Sequence, residues 1–135
     1  MNETVRAFID RINAHDVAGL AELMSDNHTF IDAHGNEVTG KEKMTAGWRA
    51  YFEWFPDYYI EVTDVFEKGD TFALFGFAGD SFKNSQTESW QVPAAWKAVV
   101  RNDRLSGWQV FADTKIPFEI IERDSPDGMT ASEVL

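Results

Sequence analysis

At 135 residues, with 44% hydrophobic and 14% aromatic content, the chain is long enough to bury one sizeable core and too short for two ordinary domains. Twelve basic residues against twenty-three acidic ones give a net charge of −11, which repels phosphate backbones and anionic lipid and excludes nucleic acid and membrane surfaces as expected partners. Without cysteine there are no disulfides, thiolate metal sites or cysteine nucleophiles, which fits a cytoplasmic setting.

Met1 leads straight into the polar segment Asn2-Glu3-Thr4-Val5-Arg6, with no signal-peptide core. No apolar run approaches the roughly 20 residues of a membrane span. Val5, Phe8, Ile9 and Ile12 then recur at helical spacing and predict an amphipathic helix, which Asn13-Ala14-His15 breaks. His15, in that turn, is expected to face solvent. Asp16 is placed to cap a second helix carrying Val17, Leu20, Ala21, Leu23 and Met24, ending near Ser25-Asp26-Asn27. A short strand is expected from His28 to Asp32. Thr39-Gly40-Lys41-Glu42 opens a third helix, which Pro56 stops at Phe55.

The remainder reads as sheet. Tyr58 to Glu67 is rich in β-branched and aromatic residues, Lys68-Gly69-Asp70 forms a turn, and Thr71 to Gly79 returns. Gly76 and Gly79 suggest a bulge or strong curvature in that strand. Lys83 to Thr87 is a polar loop, and Trp90 to Arg101 and Leu105 to Lys115 make a second hairpin about Asn102-Asp103-Arg104. The domain is expected to span 1–118, with 119–135 as an acidic, partly flexible tail. Helices followed by a four-strand antiparallel meander indicate an α+β domain, with three helices on the concave face of a curved antiparallel sheet. The cone between those layers is where a small apolar ligand binds.

Asp32 is the first candidate for chemistry. A carboxylate in an apolar strand facing an aromatic helix costs free energy unless it is hydrogen-bonded or used. The competing reading is a turn-forming carboxylate that accepts backbone N–H bonds near His34-Gly35. Asp113 and His34 are the candidate catalytic partners, and His28 is a second possible proton carrier because imidazole titrates near neutrality. Phe8, His28, Phe30, Trp48 and Phe52 are expected to line the pocket, together with Phe55, Tyr58, Trp96, Trp108 and Phe111. The parity of the last strand is open: either Trp108, Val110 and Ala112 or Gln109, Phe111 and Asp113 face the cone, and a bulge at Gly107 would change the answer. His28, Asp32 and His34 alternate as metal ligands would, but no further ligand is evident on the third helix, so no metal is assigned. No Gly-rich phosphate cradle is present either, and no cofactor is expected.

Thr29-Phe30-Ile31-Asp32-Ala33-His34-Gly35, then Thr39-Gly40-Lys41-Glu42, the aromatic helix and Asn102 to Asp113 together resemble the nuclear transport factor 2-like superfamily. The likeness is greatest to the group that includes the polyketide cyclase SnoaL, ketosteroid isomerase and limonene epoxide hydrolase. The resemblance covers roughly Val5 to Lys115 and implies a cone of sheet and helices, a cystatin-like roll, dimeric through the outer sheet face. It places Asp32 where the steroid isomerase has its general base, and Asp113 where SnoaL-type cyclases carry an acid/base residue. Phe8 falls at the isomerase's oxyanion Tyr and lacks the hydroxyl. Trp96 and Lys97 fall near its protonated Asp and cannot take that role, so steroid isomerisation itself is not expected. Arg101 and Asp103, the nearest match to the hydrolase's charged groups, lie at the hairpin end. Two readings follow: a homodimeric, cofactor-free acid–base enzyme acting on a small apolar or aromatic compound by isomerisation, cyclisation, hydration or dehydration, or a non-catalytic ligand-binding or dimerisation module.

Overall fold

The computed structural model describes residues 1–80 and 90–113. The elements run α1 (Glu3–Asn13), α2 (Val17–Leu23), β1 (Met24–Ile31), β2 (Glu37–Thr39), α3 (Lys41–Trp54), β3 (Tyr58–Lys68), β4 (Thr71–Asp80), β5 (Trp90–Arg101) and β6 (Arg104–Ala112). The expected loop at 83–87, the end of the last strand at 114–115 and the tail at 119–135 lie outside the described residues.

The helices start and stop where local chemistry directs. Asn2 Oδ1 accepts from the Thr4 and Val5 amides at 2.8 and 3.2 Å, and Asp16 Oδ1 accepts from Gly19 at 2.9 Å. These side chains satisfy amides that have no partner within the first turn of each helix. At the far end of α3, Phe55 leaves helical geometry ahead of Pro56, as the proline ring requires. The α1 stripe of Val5, Phe8, Ile9 and Ile12 is buried, and so are Met44, Trp48, Tyr51 and Phe52 of α3.

The strands form one curved, unclosed sheet in the order β2-β1-β6-β5-β4-β3. The expected four-strand antiparallel meander is present as β3 to β6, and to it are added the short strand β2 and a parallel β1–β6 pair in which Phe30 meets Trp108. The second helix ends at Leu23, because Met24 is already extended and pairs with Leu105. Between Met24 and Thr29 the pairing with β6 is irregular, and Asp26 and Asn27 are both exposed there. Met24 and His28 consequently both point inward.

The β3–β4 pair carries the bulge suggested by Gly76, but the extra residue is Thr63 on the opposite strand. A Cβ on Gly76 would run into the Glu61 carbonyl, so the close approach itself requires glycine. The β5–β6 turn uses Asn102 and Asp103 at φ 53° and 59°, the left-handed pair of a two-residue hairpin. Ser106 is an extra residue in β6 between the Val99–Gly107 and Val100–Leu105 pairs. That insertion fixes the parity of the last strand, turning both Leu105 and Trp108 into the core.

The inner face of the sheet is uneven along its strands. Phe72, Ala98, Trp108 and Phe30 form one cross-strand row, and Leu74 and Trp96 occupy the next with Val110. Toward the other end the inward positions shrink to Gly76, Ala78, Ala94 and Ala112. The outer face carries Phe66, Phe75, Phe77 and Phe111, which are 63%, 45%, 38% and 49% exposed. Among the described residues, no helix is long and apolar enough to cross a membrane.

Candidate functional site

The interior between α1, α3 and the sheet is built around the ring of Phe8. Trp108 lies 4.9 Å from it between ring centroids, and Trp48 and His28 each lie 6.3 Å away. Trp48 in turn packs on Phe30 at 6.1 Å and Phe52 at 5.4 Å, and Trp96 stacks beside Trp108 at 6.3 Å. Phe55 and Tyr58 are buried as well. Nine of the ten expected lining residues thus lie within the core. The tenth, Phe111, is a correction: the Ser106 insertion turns it onto the outer face.

Asp32 follows β1 on the same inward parity as His28 and Phe30, and it is 3% exposed. Its side chain is held by the turn that follows. Oδ1 accepts from the His34 and Asn36 amides at 2.8 and 2.9 Å, and Oδ2 accepts from Asn36 Nδ2 at 3.1 Å. The Asp32 amide also donates to the Asn36 carbonyl at 3.0 Å, and Gly35 donates back to the Asp32 carbonyl at 3.0 Å. This is the geometry of the turn-forming carboxylate, with each oxygen engaged within four residues. His34 is exposed on the same turn, and Asp113, beyond the end of β6, is exposed too. Asp113 and His34, the candidate partners of Asp32, thus both lie exposed while Asp32 is buried.

His28 is the contrasting case. It is 0% exposed, and its Nδ1 lies 2.7 Å from the Leu105 carbonyl. A carbonyl oxygen only accepts, so Nδ1 carries the hydrogen and the neutral ring keeps a lone pair on Nε2. Burial pushes the imidazole pKa down, against the smaller opposing effect of the Leu105 hydrogen bond. Among the described residues Nε2 has no hydrogen-bond partner, and neither do the buried indole nitrogens of Trp48 and Trp108. A buried polar group left unpaired costs about 1–3 kcal/mol, and all three of these nitrogens belong to rings that pack against Phe8.

A second polar group sits nearer the small-residue end. Tyr51 packs edge-on against Tyr58 at 4.9 Å, and Tyr58 pairs across strands with Asp80. Burial raises the pKa of both phenols, and for Tyr51 the nearby Tyr58 and Asp80 raise it further, so both remain protonated donors at neutral pH. Among the described residues, no three His, Cys, Asp or Glu side chains gather as a metal ion requires.

Two supports of this architecture had no local signal in the sequence. Asn13 grips the Ile60 backbone at both groups, at 3.0 and 2.8 Å. His15 is half-buried instead of facing solvent: its ring stacks on Phe52 at 4.1 Å, and Nε2 donates to the Tyr58 carbonyl at 2.6 Å. Both partners are more than forty residues away along the chain.

Residues 5–108 match the family described as SnoaL-like domain. No match was found among curated protein sequences. Several solved structures share the fold. A Catenulispora acidiphila protein of ketosteroid isomerase-like fold, solved with trimethylamine, has a TM-score of 0.75 at 21% identity, covering 88% of this chain and 92% of that one. A candidate SnoaL-like polyketide cyclase from Jannaschia sp. gives 0.72 at 20% identity, covering 92% and 90%. A cystatin-fold protein from Novosphingobium aromaticivorans gives 0.68 at 24% identity, covering 81% and 95%.

Proposed function

The chain belongs to the SnoaL-like domain family, and on that premise we propose that it binds a small, uncharged, largely apolar or aromatic molecule in its cone and moves a proton on it. The reaction class is isomerisation, cyclisation, hydration or dehydration, with no cofactor. One observation carries this reading: His28 is buried against Phe8, with its tautomer fixed by Leu105 and the Nε2 lone pair without a partner among the described residues. A base kept neutral in a water-poor site is ready to accept a proton at physiological pH. In this reading His28 takes the role first expected of Asp32, whose oxygens are engaged by the turn. Phe8, Phe30, Trp48, Phe52, Phe55, Tyr58, Trp96 and Trp108 form the apolar wall. The trimethylamine in the Catenulispora structure and the cyclase name of the Jannaschia protein support small-molecule occupancy of this fold.

The test uses 2-tetralone, a neutral aromatic ketone whose hydrogens next to the carbonyl exchange with D2O. Saturating ligand raises stability by about 2.7 kcal/mol at a hundred times Kd, read as a rise in melting temperature. The protein accelerates deuterium uptake, and His28→Gln abolishes that acceleration. Absence of both binding and exchange overturns the proposal. Binding with exchange unchanged in His28→Gln overturns the role of His28 and favours the non-catalytic module.

The same reading includes a cytoplasmic homodimer through the outer sheet face. Phe75 and Phe111 flank Ala95 across three neighbouring strands, and Phe66 packs edge-on to Phe75 at 5.9 Å. An exposed aromatic patch of this kind marks an association surface. Light scattering should give about twice the 15.3 kDa chain mass, and Phe75→Glu should return it to the monomer value. A wild-type monomer at micromolar concentration removes the dimer from the proposal.

A further inference from the structure

We propose that the outer edge of β3 is an association surface for a second copy of the same strand, held closed by the turn between α1 and α2. β3 ends the sheet, and among the described residues no strand pairs with its far side. An open edge presents N–H and C=O groups that template pairing with another chain. The first residues of β3, Tyr58-Tyr59-Ile60, are uncharged and suited to strand pairing, and the turn acts on them. Asn13 donates from Nδ2 to the Ile60 carbonyl at 3.0 Å and accepts from the Ile60 amide on Oδ1 at 2.8 Å. One side-chain amide thus makes the pair of hydrogen bonds that a residue of a neighbouring antiparallel strand would make. His15 Nε2 donates to the Tyr58 carbonyl at 2.6 Å, and the Tyr58 amide already donates to the Phe55 carbonyl at 3.0 Å.

The backbone of that turn shows that His15 is there for its side chain. The Asp16 amide donates to the Arg11 carbonyl and the His15 amide to the Ile12 carbonyl, closing α1 with a left-handed residue at position 15. Glycine suits that conformation, yet His15 holds it at φ 54°. The ring's stacking on Phe52 at 4.1 Å and its bond to Tyr58 offset the strain. Beyond Ile60 the edge is protected differently: the bulge at Thr63 interrupts its register, and Asp64, Glu67 and Lys68 add charge. At the opposite end of the sheet β2 has only three residues, a short edge that templates little. The regular, uncharged start of β3 is therefore where another strand would add, and it is the part the turn covers. A second β3 is the occupant that fits, because antiparallel pairing of two identical edges is self-complementary about a two-fold axis.

The test follows the mass of the full chain by light scattering over time, at a fixed interval below each variant's own melting temperature. Asn13→Ala removes both bonds at Ile60. His15→Gly removes the Tyr58 bond and suits the left-handed backbone, so it decides the matter if the first variant fails to fold. Ile12→Val is the comparison: it weakens the fully buried side of the same helix and leaves the turn in place. Asn13→Ala and His15→Gly are expected to grow beyond the wild-type mass several-fold faster than Ile12→Val. In the folded, unassociated Asn13→Ala chain, the Ile60 amide should exchange with solvent about tenfold faster than in the wild type, and association should restore its protection. Mass unchanged in both turn variants overturns the proposal. Growth that Ile12→Val matches overturns it too, since association then follows from lost stability alone. Associated material whose Ile60 amide exchanges freely places the contact elsewhere and also overturns it. Growth is read relative to the wild-type mass, so a dimer through the outer sheet face leaves the comparison unaffected.

Discussion

Asp32 and His28 leave the same strand with the same inward parity, four residues apart, and both are almost fully buried. Their polar atoms have opposite fates. The Asp32 carboxylate accepts two backbone amides and one side-chain amide from the next turn. The His28 ring is fixed at Nδ1, and its Nε2 has no partner among the described residues. Burial alone therefore does not tell whether a polar group is satisfied, and what separates these two is the hydrogen bonds each makes among the described residues.

The largest expected effect tests the structural half of this contrast. Asp32→Ala should lose about 2–3 kcal/mol of unfolding free energy at pH 7, given about 1.5–3 kcal/mol for hydrogen bonds to a charged group and access of the turn amides to water once the side chain is gone. Denaturant titration reads this directly. A stability within error of wild type would show that the turn stands without its carboxylate and would return Asp32 to candidacy as a free base.

The next effect tests the other half through pH. The folded-state pKa of His28 lies below the ordinary 6.5, so the unfolded chain binds more protons as pH falls below that value. The contribution is fully present above about pH 6.5 and is lost as pH falls toward the folded pKa, with a slope of at most about 1.4 kcal/mol per pH unit for one proton. His28→Gln should flatten this segment of the stability profile. A variant profile parallel to wild type between pH 6.5 and 5 would mean that the ring is not held neutral.

The smallest effect is a control on a surface carboxylate with a partner. Asp70 accepts from Arg101 Nε at 3.0 Å, and that hydrogen bond lowers its pKa. Both side chains are well exposed, 47% for Asp70 and 68% for Arg101. Asp70→Asn should leave the melting temperature at pH 7 unchanged within error, since exposed pairs are screened by solvent. A drop comparable to that of Asp32→Ala would show that engagement of a carboxylate, buried or not, is what stabilises this fold.

Much of the architecture was readable because its signals are local. The α1 stripe, the Asp16 cap, the Pro56 stop and the Asn102-Asp103 turn each depend on residues within a few positions of one another. What escaped depends on distant partners. β1 finds β6 across some eighty residues, and its register is set by the irregularity at Asp26-Asn27, so neither β2 nor the parallel pair could be read from periodicity. Asp113 and Phe111 hung on strand parity, which one inserted residue, Ser106, decides. For Asp32 both readings were visible, but the choice required the Asn36 contacts. His28 was legible as a buried titratable group, whereas the freedom of its Nε2 followed from Leu105, 77 positions away.

The parallel β1–β6 pair also dates the site in the life of the chain. Strand β6 emerges last of the described elements, so α1, α2, β1 and α3 are all synthesised before the carbonyl that fixes the His28 ring exists. Closing so long a loop carries an entropic cost, and topologies dominated by distant pairings fold slowly. Ligand competence should accordingly arrive with the final closure of the sheet. In a refolding experiment, binding of 2-tetralone should rise together with amide protection in β6 and later than helical circular dichroism. A nascent chain released before residue 105 would lack the carbonyl that fixes the His28 ring.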